Sequence, residues 1–416
     1  MRTQLQLLLL AIGITICGCS AAERDNKNDD RPNIIIIMAD DLGYSDVGCY
    51  GGEINTPAID GLAKNGLRFT QFYNSARCCP TRASMLTGLY PHLAGVGAMT
   101  HDNGSPGYRG YLTENTVTIA EVLRQAGYHT GMVGKWHVSQ TKELPKEEQL
   151  KWLAHQIEQP EFSPVGQYPV SRGFEKYYGN VWGVVDYFDP FSLVNGTEPV
   201  KSGPENYYHT TAIGDSAIAY VDQFARDDKP FFLYVAHTAP HWPLHALEED
   251  ISKYQDTYKA GWEVIRKARY ERMIDMGLFD EKSTPLSPWM FPERKWEDNP
   301  NKDFDARAMA VHAAMIDRMD QTIGKLLKKL EDKGELDNTL IFFLSDNGTS
   351  SERPSRYGPG FDRAGSTRSG QTVAFPVDKD ALPGPQTVMS GIGPEWASVG
   401  STPFRYFKAK LHEGGM

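Results

Sequence analysis

Short, mostly apolar runs alternate with helical patterns along this chain. The four clearest runs cover residues 33–38, 128–133, 230–237 and 339–345. Runs of this length, rich in β-branched and aromatic residues, are typical of strands buried on both faces. An apolar stripe at helical spacing predicts a long helix over about residues 305–333. The alternation predicts an α/β fold with a largely parallel sheet.

Polar side chains follow each of the four predicted strands. In chain order they are Asp40, Asp41, Lys135, His137, His241, Asp346 and Asn347. Each of them alone could cap a helix or form a turn. In open parallel sheets, however, the carboxyl ends of the strands meet at one edge, and ligands bind there. Four strand ends that deliver such groups together predict a single site at that edge.

The chemistry of these side chains favours a hard cation. Three carboxylates and one amide are oxygen ligands, which suit calcium or magnesium better than zinc. His237, His241 and His245 recur every four residues, but Pro240 and Pro243 between them exclude a regular helix that could present a zinc-binding face. The lysine and the histidines instead suggest recognition of an oxygen-rich anion together with proton transfer.

Composition and charge restrict the classes of partner. The chain has 416 residues, of which 40% are hydrophobic and 23% charged, and its formal net charge is -10. These values are ordinary for a soluble globular protein. An acidic chain lacks the basic surface that nucleic-acid binding requires, so we expect no nucleic-acid partner. An anionic small substrate remains compatible, because a pocket can be positive on an acidic protein.

The N-terminus predicts export. Residues 1–18 read as a signal peptide of the lipoprotein type, with an apolar stretch too short to span a bilayer as a mature helix. Lipidation at Cys19 would anchor the protein to a bacterial membrane, although Cys17 is unusual in such a motif and leaves cleavage to a soluble form open. Residues 19–32 read as a disordered tether, and 33–416 as a catalytic domain. We therefore expect a periplasmic or cell-surface protein.

A pair of adjacent cysteines needs a chemical explanation. Export favours disulfides, yet after Cys19 the chain keeps only Cys49, Cys78 and Cys79. Cys49 is expected to be a small packed thiol. A disulfide between neighbouring residues is strained, and a zinc site would need a second pair of ligands that this sequence lacks. A dithiol that acts in redox chemistry or binds a metal is one interpretation of the pair, and chemical modification of one of the two cysteines is another.

The cysteine pair lies in a recognisable motif. Residues 78–82 read C-C-P-T-R, with L-T-G at 86–88, and they resemble the signature of the type I sulfatases, in particular the arylsulfatase-like bacterial branch of this alkaline phosphatase superfamily. In that family a maturation enzyme converts the first cysteine of the motif to Cα-formylglycine. The resemblance implies that Cys78 is this precursor and that Cys79 fills a variable position. It also implies the fold of that superfamily, a large, mixed, mostly parallel sheet between layers of helices. Pro80 suits a first helical position, so residues 80–87 are expected to form a short helix.

The resemblance also assigns roles to the strand-end residues. It implies a calcium site, with magnesium as the alternative, formed by Asp40, Asp41, Cys78, Asp346 and Asn347. It implies a catalytic set formed by Cys78, Arg82, Lys135, His137, His241 and Lys408. In these roles Arg82, Lys135 and Lys408 balance the charge on the sulfuryl oxygens. His137 acts as a base, and His241 protonates the leaving alcohol. Lys410 is an alternative to Lys408. Lys408 is preferred because it lies five residues before E-G-G, as in the family.

The function implied is hydrolysis of sulfate monoesters, either aryl sulfates or sulfated glycans, by a formylglycine gem-diol that acts as the nucleophile. A phosphate or phosphonate monoester hydrolase of the same superfamily, and an inactive surface lipoprotein that binds sulfated glycans, are the alternatives.

Members of the family continue beyond E-G-G, so the chain is expected to lack a C-terminal part. Residues 349–403 show no periodicity and are expected to form the substrate rim. Trp242 and Tyr357 could contribute aromatic platforms, with buried packing as the alternative.

Overall fold

The computed structural model describes residues 30–158, 161–200, 206–353, 365–374 and 381–416. The predicted signal peptide, the predicted tether up to residue 29, and Tyr357 lie outside the described residues. Within the described ranges, no helix is both long enough and apolar enough to cross a bilayer.

Among the described residues, seven strands form one sheet in the order β5-β4-β3-β2-β6-β1-β7. The strands are β1 (Asn33–Ala39), β2 (His129–Gly134), β3 (Lys176–Asn180), β4 (Leu193–Asn195), β5 (Glu198–Pro199), β6 (Phe231–Ala236) and β7 (Thr339–Ser345). Neighbouring strands pair in parallel across β3, β2, β6, β1 and β7. Beyond β3, strands β4 and β5 continue the sheet with antiparallel pairing. The predicted mixed, mostly parallel sheet is confirmed.

Helices cover both faces of this sheet. The α-helices in the described residues are α1 (Pro57–Asn65), α2 (Cys78–Thr87), α3 (Ile119–Gln125), α4 (Lys146–Leu153), α5 (His209–Phe224), α6 (Glu248–Ile251), α7 (Trp262–Asp275), α8 (Lys302–Lys333) and α9 (Gly393–Gly400). Helices α5 and α8 pack together on one face, and α2 and α3 lie on the other.

The side-chain alternation of β1 shows why both faces need cover. Ile35 and Ile37 join the core under α5 and α8, whereas Ile36 and Met38 join the core that includes α2. Successive residues of a strand point to opposite faces, so an unbroken apolar run must be buried on both sides. The edge strand β7 is different, because Leu340 and Phe342 are each 48% exposed. Burial is therefore deepest in the middle of the sheet.

Sequence patterns located the main elements well and the irregular region less well. The four predicted strands and the long helix are all present, the helix as residues Lys302–Lys333. Two expectations were wrong in part. Helix α2 begins at Cys78, so Pro80 occupies its third position. The region 349–403 contains α9, which is only eight residues long and therefore too short to show a clear periodicity.

Candidate active site

The oxygen ligands expected for a cation lie together at the carboxyl ends of β1 and β7. These strands pair in parallel with Ala39 opposite Ser345, so the residues that follow emerge side by side. Asp41 donates its backbone N–H to Asp346 Oδ1 at 3.3 Å, and Asn347 donates its side-chain amide to Asp41 Oδ1 at 2.6 Å. Asp40, Asp41, Asp346 and Asn347 are all buried.

The geometry of this cluster fits a divalent cation. Asp40 Oδ1 and Asn347 Oδ1 are buried, and neither accepts a hydrogen bond from the described residues. Burial raises the pKa of Asp346 to about 7, and the carboxylate of Asp40 acts in the same direction. Unpaired buried oxygens and mutually repelling carboxylates cost free energy that a hard cation would offset. The donors present are those that calcium and magnesium prefer.

Cys78 is the first residue of α2 and lies beside this cluster. The residue before it, Arg77, is the N-cap residue and makes no side-chain hydrogen bond to the N-terminal amides of the helix. Both Cys78 and Cys79 are buried free thiols. The sulfur atoms of this pair and a ring nitrogen of His137 all lie within 4.8 Å of one another. Hydrogen bonding with Cys79 and the nearby charge of Lys135 lower the pKa of Cys78.

Arg82 and Lys135 supply fixed positive charge to the same place. Arg82 lies one turn after Cys78 on α2, and its Nε and Nη2 both donate to Asp346 Oδ2, at 3.0 Å and 2.7 Å. Lys135 directly follows β2 and donates to Asp40 Oδ2 at 2.5 Å. Both side chains are completely buried. Burial opposes their protonation, but the carboxylates more than offset this and raise both pKa values.

Two glycines create the space for these groups. Gly134 has φ of +92°, and a Cβ there would lie 1.9 Å from the carbonyl oxygen of Ala236. A side chain at this position would therefore displace β6 and the lysine that follows. Gly183 packs against the ring of His137, where a Cβ would lie 2.1 Å from Cε1. Only glycine permits such close approach of backbone and ring.

His137 is held in an unusual backbone conformation. Its φ is +54°, in the left-handed region that few residues with a side chain adopt. Burial lowers its pKa to about 4, although the neighbouring Cys78 opposes the shift. Its Nδ1 is buried and makes no hydrogen bond with the described residues. The ring is therefore a neutral base directed at the thiol region.

His241 and Lys408 form a hydrogen-bonded pair on another side of the cluster. His241 Nδ1 lies 2.5 Å from the carbonyl oxygen of Trp242, so this nitrogen carries the proton. Its Nε2 is then free to accept from Lys408 Nζ, which lies 3.3 Å away. Lys408 also donates to Asp41 at 3.0 Å. The structure thus brings Lys408 to the site, whereas Lys410 is exposed.

Glu352 and Tyr187 belong to this side and were not identified from the sequence. Glu352 Oε2 accepts from Lys408 Nζ at 3.1 Å and from the indole N–H of Trp242 at 2.7 Å. Trp242 is buried and packs in this network, which is the alternative that the sequence left open. The Tyr187 hydroxyl lies 2.9 Å from the carbonyl oxygen of His241 and 2.8 Å from that of Thr238. No spacing in the sequence links these residues, because only the fold brings them together.

Comparison with known proteins agrees with this arrangement. The model of the sulfatase family matches residues 32–380. An uncharacterized sulfatase of Schizosaccharomyces pombe is 32% identical over 93% of this chain and 69% of its own length. An arylsulfatase of Klebsiella aerogenes is 31% identical over 96% of this chain and 81% of its own.

A solved structure shows the same fold. The crystal structure of Ps i-CgsB, also solved in complex with k-i-k-neocarrahexaose, superposes with a TM-score of 0.53 and 30% identity. The match covers 77% of this chain and 59% of the length of Ps i-CgsB. The sheet and the oxygen-rich site at its carboxyl edge define an α/β protein of the alkaline phosphatase-like fold. Within that class, the chain belongs to the sulfatase family.

Proposed function

We propose that this protein hydrolyses sulfate monoesters after conversion of Cys78 to formylglycine, with one calcium ion bound at the carboxyl edge of the sheet. The observation that carries the proposal is the position of Cys78. It begins a helix whose N-terminal amides favour an anion, and it lies beside four oxygen ligands and two buried cations. A hydrated aldehyde at Cys78 would supply the nucleophile. Asp40, Asp41, Asp346 and Asn347 would hold the cation, which would supply positive charge beside that nucleophile.

The remaining side chains have roles that follow from their contacts. Arg82 and Lys135 are fixed by Asp346 and Asp40, so their charges are already oriented for the sulfuryl oxygens. His137 accepts a proton at the position of Cys78, because its ring is neutral and nearby.

Proton delivery to the leaving alcohol is assigned to the Lys408–His241 pair. Lys408 Nζ donates to His241 Nε2, so the protonated lysine is the source of the proton that this pair delivers to the leaving oxygen. His241 is buried by its neighbours, which limits competing exchange with solvent. This arrangement separates the base at Cys78 from the acid at the leaving group.

Maturation and location complete the proposal. A formylglycine-generating enzyme is the expected partner before or during export, since the thiols of Cys78 and Cys79 are buried in the folded chain. We further propose that the protein acts outside the cytosol, anchored through a lipid at Cys19.

The test is a comparison of ester classes with the metal-loaded, formylglycine-containing protein. Aryl sulfate and sugar sulfate monoesters should be hydrolysed with a kcat/KM well above that for the matching phosphate and phosphonate monoesters. A preference for phosphorus esters would overturn the assignment to sulfate. Binding of sulfated glycans without turnover by verified formylglycine protein would show a binding function instead.

A further inference from the structure

A buried hydrogen-bond network lies behind the two histidines of the candidate active site. Its central residue is Asn180, the last residue of β3, whose side chain is completely buried. Its partners are Thr238, two residues after the end of β6, and His209, the first residue of α5, and both are buried as well. Polar groups buried this deeply cost free energy unless they are hydrogen-bonded. Their hydrogen bonds therefore indicate which parts of the site they hold.

The end of β3 fixes the segment that carries His137. Trp136 donates its N–H to the carbonyl oxygen of Asn180 at 3.0 Å, and His137 donates its N–H to that of Val181 at 3.1 Å. The side-chain amide of Asn180 donates to the carbonyl oxygen of Trp182 at 2.6 Å and so holds the chain that leaves the strand. The left-handed backbone of His137 is thus held in place from β3.

The same side chain also fixes the segment that carries His241. Asn180 Oδ1 accepts from the hydroxyl of Thr238 at 3.2 Å. The carbonyl oxygen of Thr238 in turn accepts from the backbone N–H of His241 at 3.0 Å and from the hydroxyl of Tyr187 at 2.8 Å. One amide therefore connects the segments of two histidines that lie far apart in the sequence.

His209 fixes the orientation of the Asn180 amide. Its Nε2 lies 3.0 Å from Asn180 Oδ1, and its Nδ1 lies 2.9 Å from the hydroxyl of Tyr207. A carbonyl oxygen can only accept, so Nε2 carries the proton and Nδ1 accepts from the tyrosine. Burial lowers the pKa of His209 to about 3, so the ring is neutral at neutral pH and keeps this arrangement. A reversed amide would turn its N–H groups toward two donors, so one orientation alone satisfies the network.

The separation of the two histidines matters because they serve different atoms of one ester. In the proposed function, His137 takes a proton at position 78, and the Lys408–His241 pair delivers one to the leaving oxygen. An error of about 1 Å in the place of a reacting group can cost about a hundredfold in rate. The hydrogen bond between Asn180 and Thr238 links the segments of both histidines, so it helps to set this separation.

We propose that Asn180 and Thr238 are positioning residues that set the place of His241 relative to His137, with His209 holding the Asn180 amide in the required orientation. The inference rests on the proposed sulfatase function and adds to it residues that act through the two histidines. Loss of the hydrogen bond between Asn180 and Thr238 should impair proton delivery to the leaving group more than attack at sulfur.

The test uses Thr238→Val, which removes the hydroxyl and keeps nearly the same shape. Thr238→Ser keeps a hydroxyl and should keep most of the activity. Asn180→Ala removes the other end of the same hydrogen bond. Thr130→Val is the matched control, because Thr130 is also buried and donates its hydroxyl to a carbonyl, that of Gly173 at 2.8 Å, but near the start of β2. Formylglycine content, bound metal and Tm are measured for each protein before kinetics.

The substrates are aryl sulfates whose phenols differ in pKa, from 4-nitrophenyl sulfate to phenyl sulfate. Thr238→Val should lower kcat/KM about tenfold for phenyl sulfate and no more than about twofold for 4-nitrophenyl sulfate, because the poorer leaving group depends more on the proton. Asn180→Ala should show the same dependence on the leaving group. The control should match the parent on both substrates, although it loses a buried hydrogen bond of the same kind.

A double-mutant cycle separates positioning from a general loss of stability. In a His241→Ala background, Thr238→Val should change kcat/KM by no more than about twofold on either substrate, because the group that it positions is gone. A persisting tenfold effect on phenyl sulfate in that background would show that Thr238 acts independently of His241, and the inference would be wrong.

Other results would also overturn the inference. Equal losses on both substrates, no loss on either, or no recovery with Thr238→Ser would refute positioning and leave the sulfatase activity of the parent intact. If Asn180→Ala yielded too little folded protein, the shape-preserving Thr238→Val would decide the question alone. If verified formylglycine protein hydrolysed no sulfate ester, the proposed function itself would fail and the inference with it.

Discussion

The two sides of the active site are built differently. The side that holds the proposed nucleophile and the proposed metal ligands consists of residues at strand ends and on a helix, namely Asp40, Asp41, Cys78, Arg82, Lys135, Asp346 and Asn347. The leaving-group side consists of loop residues, among them Tyr187, His241, Glu352 and Lys408. Most of these side chains are buried, although Glu352 is partly exposed. Among the described residues, Lys408 donates to Asp41 at 3.0 Å and His241 Nε2 lies 3.5 Å from the same carboxylate, and these contacts join the two sides.

This difference shows how the fold divides its tasks. Residues at the ends of paired strands are positioned by the sheet itself, so groups that must meet a cation and a sulfuryl group to within a fraction of an ångström lie there. Residues on loops are positioned by one another, as Glu352, Trp242 and Lys408 are. Loops vary more readily than strands, so the leaving-group side is where substrate choice is expected to reside.

The largest effect is expected at Cys78. Cys78→Ala should abolish turnover, a loss of at least about 10⁴-fold, because the nucleophile is removed. Cys79→Ala is the matched control: it removes the neighbouring thiol but should still yield an aldehyde at position 78. Co-expression with a formylglycine-generating enzyme followed by hydrazide labelling and peptide mass spectrometry checks this. Labelling at position 79, or an active protein without label, would contradict the assignment of Cys78.

The metal site should come next in size. Asp346→Ala removes a ligand and the partner of Arg82, so calcium binding and turnover should both fail. In the parent, metal analysis should find about one calcium per chain, and added calcium should raise Tm because it binds only the folded state. Asp332→Asn, at an exposed ion pair on α8, is the control and should keep both properties. Stoichiometric zinc, with turnover unaffected by removal of calcium, would refute an oxygen-ligand site.

His241 tests the leaving-group side directly. His241→Ala should reduce turnover of alkyl and sugar sulfates by about 10²–10³-fold, because these alcohols need a proton to leave. An activated aryl sulfate leaves as a stabilised phenolate and should suffer less. A plot of log kcat/KM against the pKa of the leaving group should therefore become steeper than for the parent. Parallel lines for parent and variant would show that His241 does not deliver the proton.

Glu352 should have a smaller effect of the same kind. Glu352→Ala removes the carboxylate that accepts from Lys408 and Trp242, so the lysine loses one of its two fixed carboxylate contacts. We expect a fall in kcat of about tenfold, with the same steeper dependence on the leaving group as in the His241 variant. Glu352→Gln keeps an acceptor and should restore part of the loss. An effect confined to KM would place Glu352 in substrate binding and not in positioning of Lys408.

The smallest effect on turnover is expected from a buried ion-pair network that belongs to neither side of the active site. Asp46 pairs with Arg269 at 2.7 Å and accepts from His312 at 3.1 Å. Burial raises the pKa of Asp46, but Arg269 and His312 more than offset this and hold it below its ordinary value. The contribution of the Asp46 carboxylate to the free energy of unfolding is therefore fully present above about pH 4. It is lost as the pH falls below that value and the carboxylate becomes protonated.

Asp46→Asn should lower the free energy of unfolding at pH 7 by about 2–4 kcal/mol, since it leaves a buried guanidinium with one partner fewer. Denaturant unfolding at several pH values measures this difference, which should narrow between pH 4 and pH 2. Turnover per folded molecule should stay close to that of the parent. A pH-independent difference would mean that packing, and not charge, accounts for the loss.

Local sequence patterns were enough to predict the sheet and the residues at its carboxyl edge. Short runs of β-branched and aromatic residues bounded by polar groups favour strands of a parallel sheet, and parallel strands bring their carboxyl ends to one edge. That reasoning placed Asp40, Asp41, Asp346 and Asn347 together. The motif around Cys78 then added the nucleophile, although it set the start of the helix two residues late.

The loop residues that complete the site are brought there by long-range contacts of the folded chain. Glu352, Tyr187 and Gly183 carry no local pattern, because each acts through a contact with a residue far away in the chain. Helix α9 is likewise too short for its period to be read, and it is held by burial of Trp396 in the core. Hydrophobic periodicity reflects the secondary structure of a segment and the burial of its faces against neighbouring elements. The side chains that loops bring together depend on the whole packed chain, and short-range patterns do not encode that information.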